Sequence, residues 1–312
     1  MKHLDLREWR DLLVQTGREW SEDKVPRLGA ALAFYTALSM APLLVISLRV
    51  AALFFGDDAA TGEIERQGQA LIGKQGAEAL QAMIENADNE QSGTLAAVLG
   101  VITLLFGASG VFGQLQESLN TIWEVQPRPG RGIWGLIRDR FLSFAMVMGS
   151  AFLLLVSLAM STALSATVAF VGHGRGDLHS LFTIGNTVVG FVVITGIFAV
   201  TFKMVPDVKI AWKDVWVGAV ITSLLFAIGK FALGLYLGRS SMASSYGMAG
   251  SLIVLLVWVY YSAQIVFFGA EFTQVYANRY GTQIVPSSNA IAATEESRTQ
   301  QGLGNSPEMR PN

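Results

Sequence analysis

The chain has 312 residues, of which 52% are hydrophobic and only 15% charged, with a mean hydropathy of +0.44. Soluble domains carry roughly a quarter charged residues, so this composition excludes an ordinary water-soluble globule and points to lipid as the solvent. A formal net charge of -2 provides no polybasic field for nucleic acid, and the absence of cysteine excludes disulfides, thiolate metal sites and thiol nucleophiles.

Residues 1–27 place Leu6, Trp9, Leu13, Thr16 and Trp20 at three- and four-residue steps with charges between them. This is the pattern of an amphipathic helix lying in a membrane interface, or of a soluble helix capping a bundle. Pro26 is expected to break it. The charged start and the length of the apolar run that follows argue against a cleavable leader. That run, 28–55, exceeds the roughly 20 residues needed to cross about 30 Å and is read as span one. Ala30, Ala33, Ala37 and Ala41 offer a small face for close helix contact, and Pro42 is expected to kink the span.

Residues 56–93 are acidic, with apolar positions at helical spacing, and read as a helical outer segment covering the end of the bundle. Span two, 94–123, carries Thr103, Gly107, Gly110, Gln114, Glu117 and Thr121 on one stripe, which is expected to turn inward. A basic loop at 126–140 holds Arg128, Arg131, Arg138 and Arg140. Spans three to six follow at about 141–171, 181–205, 215–237 and 248–275, giving a six-span membrane domain over 28–277. The polar tail, 278–312, has the composition of a disordered segment. Of the Lys and Arg residues in the terminal segments and connections, 16 fall on one side and four on the other. The positive-inside rule then puts both termini in the cytoplasm of a multi-pass inner-membrane protein. The fold class expected is all-α and polytopic.

Chemistry-bearing residues are few. With only His3, His173 and His179 and no P-loop, no metal site, cofactor, hydrolytic triad or ATP-driven motor is expected, and the protein is not read as an enzyme. The ionisable groups inside spans carry more information, because a charge at helix centre costs about 2.5 to 3.5 kcal/mol on insertion scales. Arg49 and Lys230 lie toward the outer end, and Glu117 and Glu271 toward the inner end. Facing inward, with Asn120, Gln114, Gln264 and Tyr260 as polar neighbours, they would line a path for an anionic headgroup. The competing reading has Arg49 snorkelling to headgroups, and the carboxylates pairing with loop arginines or holding helix ends together.

Four segments resemble the YihY/virulence factor BrkB family of bacterial inner-membrane proteins, once called ribonuclease BN. They are LGAALAFYTALSMAPLL from Leu28, GASGVFGQLQESLNTIWEV from Gly107, Trp212 to Ala219 with the later Gly229-Lys230, and YGMAGSLIVLLVWVYYSAQIVFFGAEFTQVYA from Tyr246. The resemblance implies a six-helix membrane protein described as a transporter or resistance factor without a settled substrate. The expectation is a transporter or lipid-flippase-like exporter of an anionic or amphipathic compound. A non-transporting scaffold or envelope-resistance factor is the alternative, and a ribonuclease ranks last. Membrane lipids, and a second copy of the chain as homo-oligomer, are the partners expected.

Overall fold

The computed structural model describes residues 5–39, 81, 110–129, 176–239 and 248–303. Pro42 and Arg49, span three and nearly all of the acidic segment 56–93 lie outside the described residues. In chain order the elements are α1 (Leu6–Glu22), α2 (25–39), α3 (110–122), β1 (Val125–Pro127), α4 (Gly176–Met204), β2 (Val208–Lys209), α5 (Trp212–Arg239), α6 (Met248–Tyr280), β3 (Val285–Pro286), β4 (Ala290–Ala292) and α7 (Glu295–Gln300). Among the described residues three stretches are long and apolar enough to cross a membrane: Thr187–Met204, Trp212–Leu233 and Leu252–Tyr280. They overlie expected spans four, five and six. Spans one and two are helical over the parts described.

One boundary and one helix face differ from the expectation. The break after α1 falls at Asp23-Lys24, where Lys24 has a φ of 51°, and Pro26 stands in the first turn of α2. A first-turn proline forfeits no helical hydrogen bond, so it begins the second helix and does not end the first. The small face of α2 is also displaced: Ala30 is exposed, whereas Gly29 and Ala33, one turn apart, are buried.

The chain divides into two compact units. The first comprises Met1–Gly17, Leu119–Leu224 and Gly269–Asn312, and the second Arg18–Ser118 and Leu225–Phe268. In the first unit α5 and α6 cross through a reciprocal Gly-Thr contact. A Cβ at Gly218 would overlap the Thr273 side chain, and one at Gly269 would overlap that of Thr222. Each threonine donates to the carbonyl of the glycine four residues before it, Thr222 to Gly218 at 2.7 Å and Thr273 to Gly269 at 2.6 Å. Both hydroxyls are thereby satisfied within their own helices, and the backbones can approach closely without an unpaired polar group in lipid. α4 joins α5 through the Thr195 hydroxyl, which donates to that of Ser223 at 3.0 Å, while Ser223 donates to the Ala219 carbonyl.

The tail departs from its composition. β4 pairs antiparallel with β1 and β3 with β2, so residues 285–292 tie together the connections that follow α3 and α4. Thr294 and Ser297 cap α7 reciprocally, and Leu303 and Arg298 are buried. Arg298 lies 3.4 Å from the carboxylate of Glu124, a residue at φ 53° in the turn after α3. Backbone pairing and one ion pair thus order a segment too polar to build a core of its own. α1 docks on the same unit, with Leu12 packed against Phe272 and Val275.

In the second unit α2 packs on α6 through Ala33, Leu255 and Val259, and α5 packs on α6 through Leu233 and Val254. Gly229 sits so close to α6 that a Cβ would lie 2.9 Å from the Tyr261 ring. Gly110 of α3 meets the Tyr35 ring of α2 in the same way.

Candidate functional site

The central residue is Gln264 in the second unit. It lies 12 positions past Leu252 and 16 before Tyr280, about 18 and 24 Å from the two ends of that apolar stretch at 1.5 Å per residue. Its flanking sequence, with no proline and with alternating bulk, keeps α6 regular, so the side chain is delivered to the α2 contact at mid-span. There Gly29 makes room for it: a Cβ at residue 29 would overlap the amide nitrogen and lie 3.3 Å from Cδ. The amide oxygen and nitrogen are both buried and have no hydrogen-bond partner among the described residues. Leaving such an amide unpaired costs about 1 to 3 kcal/mol by the protein mutational scale. An amide both donates and accepts, so it suits a ligand group with a hydroxyl, ester or phosphate oxygen.

Of the other expected site residues, Lys230, Tyr260, Glu117 and Gln114 share the second unit with Gln264. Lys230 is exposed on α5, with no ion pair or hydrogen bond among the described residues. Gly229 and Leu233 occupy the stripe facing α6, and one residue along a helix turns the side chain by about 100°. Tyr260 is also exposed. Glu117 is exposed, whereas Ser118, Leu119 and Ile122 are buried. The polar stripe expected to turn inward is thus exposed at Glu117, where the last turns of α3 bury apolar residues beside it. Gln114 donates to Ser118 at 3.2 Å along its own helix.

Asn120 and Glu271 belong to the first unit, and both are buried. The Asn120 amide is engaged in both directions. It donates to the Asp207 carboxylate at 3.1 Å and accepts from the Asp207 backbone N–H at 2.8 Å, fixing the turn after α4. Glu271 is wholly buried, next in sequence to Phe272 of the α1 contact. Among the described residues no group of three or more His, Asp and Glu could hold a metal ion.

Sequence reasoning passed over Asp214. Its carboxylate accepts from the Thr282 N–H at 2.9 Å and the Thr282 hydroxyl at 2.6 Å, pinning the chain after α6 to the first turn of α5. An acid in the first turn of a helix was the available signal, since it complements the helix dipole. The matched Gly218/Thr222 and Gly269/Thr273 spacings were equally visible.

A family model described as Virulence factor BrkB matches residues 16–293. The UPF0761 membrane protein of Ralstonia nicotianae is 26% identical over 85% of this chain and 59% of its own length. That of Verminephrobacter eiseniae is 29% identical over 83% of this chain and 61% of its own. That of Alteromonas mediterranea is 25% identical over 85% and 87%. The chain thus spans about three fifths of the length of the first relatives it matches. No solved structure matches.

Proposed function

The chain belongs to the virulence factor BrkB family of membrane proteins, and from that premise we propose that it carries an anionic or amphipathic compound across the bacterial inner membrane. It acts as a transporter or lipid-flippase-like exporter and not as an enzyme, with both termini cytoplasmic. The observation that carries this reading is the Gln264 amide, buried at mid-span over Gly29 with neither heteroatom used among the described residues. Transporters commonly place their substrate sites near the bilayer midplane, where binding supplies the hydrogen bonds that the protein withholds. Lys230, exposed within a span, adds a cation that an anionic headgroup would meet. Glu117 and Glu271 are the span carboxylates proposed to take part in proton or cation coupling.

The test is movement of a fluorescent anionic phospholipid analogue in proteoliposomes, with Lys230→Met, Glu117→Gln and Gln264→Leu assayed singly against folded yield. The transporter reading expects slower movement at equal yield. Normal movement in all three removes these residues from the mechanism. A scaffold is the second reading, favoured by the strand pairs and the Arg298–Glu124 contact that knit one end of the first unit. It expects well-folded protein that moves no substrate.

A further inference from the structure

The charges of α1 are sorted by face. Its three cations, Arg7, Arg10 and Arg18, share one side with Leu6, Leu13 and Val14, while its four acids, Glu8, Asp11, Glu19 and Glu22, follow the neighbouring stripe, between the cations and the docked face, at steps of three, eight and three. The third face is the docked one. Leu12 and Thr16 are buried there, and the Trp9 ring stacks on Phe272 at 6.1 Å. The cationic side is the open one, with Leu6 85% and Val14 65% exposed. Net charge conceals this arrangement, since acids outnumber bases in the helix.

The level at which α1 docks is marked by α6 itself. Phe272, Tyr276 and Tyr280 form a ladder of rings at 6.3 and 6.1 Å along its last turns, and the Arg279 guanidinium lies 5.6 Å from the centre of the Tyr280 ring. In the same unit Trp212 and Trp216 stand exposed at the start of α5, with the Lys203 ammonium 5.8 Å from the Trp212 ring centre and Lys209 and Lys213 exposed nearby in sequence. Aromatic rings alternating with Lys and Arg at the ends of apolar spans are the signature of headgroup depth. Two contacts bear on the cations: Arg10 lies 3.1 Å from Asp11, and the Arg18 Nε donates to Glu22 at 2.9 Å. Both pairs are solvent-exposed at the arginine, and such pairs are weak enough to be exchanged for phosphate.

We propose that α1 is an anionic-lipid docking surface, its Leu6/Leu13/Val14 side entering the headgroup layer while Arg7, Arg10 and Arg18 hold lipid phosphates. Each arginine near an anionic leaflet contributes about a fivefold preference over a neutral one. This surface is separate from the Gln264 site and does not depend on the transport reading.

The chain has no cysteine, so a Val14→Cys variant of the full-length protein takes a single nitroxide label. Its relative access to oxygen and to an aqueous nickel chelate is read in nanodiscs of phosphatidylcholine with and without phosphatidylglycerol. The expected result is a label screened from water when phosphatidylglycerol is present, with the screening weakened by salt. Replacing all three arginines by Gln should return the label to its phosphatidylcholine value, and replacing them by Lys should retain the anionic preference. If the Gln variant fails to fold, the salt titration of the labelled parent decides alone. A label equally wet in both lipids overturns the proposal. So does one screened from water regardless of lipid charge, since the arginines would then contribute no preference.

Discussion

The two units use polar side chains differently. In the first, they join segments far apart in sequence: Asn120 to Asp207, Asp214 to Thr282, Thr195 to Ser223 and Glu124 to Arg298. In the second, Arg18 to Glu22, Thr36 to Leu32 and Gln114 to Ser118 are bonds within one helix. Gln264 makes none among the described residues. A polar group inside lipid that already has its partners is explained by folding. One without them is left over for something else, and this distinction locates the candidate site better than charge alone.

The comparison can be broken by substitution. The largest effect is expected at the Gly-Thr crossing, where Gly218→Val or Gly269→Val forces branched carbons into Thr273 or Thr222 and lowers stability by about 3 kcal/mol. Thermal unfolding in detergent measures this, and Gly218→Ala combined with Thr273→Ala should recover most of the loss suffered by Gly218→Ala alone. Next comes Arg298→Ala, which leaves Glu124 without its cation and should destabilise the tail by about 3 kcal/mol. Limited proteolysis should then cut within 285–303 well before the spans unfold. Asn120→Ala removes both bonds to Asp207 and should lower stability by about 2 kcal/mol in the same unfolding assay.

The smallest expected effect compares two strained turns. Lys24 and Glu124 both hold left-handed φ values without being glycine. Lys24→Gly should gain about 1 kcal/mol by relieving that strain. Glu124→Gly gains the same relief but loses the Arg298 contact, so it should come out net destabilising. Arg18, whose guanidinium is held above its ordinary range by the hydrogen bond and charge of Glu22, contributes its stabilisation at every pH below that range and loses it only as the pH rises through it. No change in melting between mildly acid and neutral pH should therefore trace to the titration of Arg18.

How much of this was legible in the sequence depends on the kind of information. The positions of α4, α5 and α6 were readable, because unbroken apolar runs of this length leave no other structure in lipid. Which side of a span faces protein was not. A residue facing acyl chains is as apolar as one in the core, so the sequence does not show that Gly29, Ser118 and Gly229 are buried while their neighbours Ala30, Glu117 and Lys230 are exposed. The partners of Asn120 and Asp214 lie 87 and 68 residues away, beyond any local pattern. The order in the tail rests on strands of two and three residues whose partners are supplied by distant connections. Gln264 was visible as a polar residue in span six; that its amide lies over Gly29 required the fold.

The most direct measurement is a paired one on Gln264→Leu, recording melting temperature and the initial rate of phospholipid-analogue movement on the same preparation. Removing a buried, unbonded amide while keeping its bulk should leave melting unchanged or raised, yet slow movement by about tenfold, the equivalent of one good hydrogen bond to the substrate. A variant that melts earlier and loses movement only in proportion to folded protein would contradict the account and make Gln264 a structural residue.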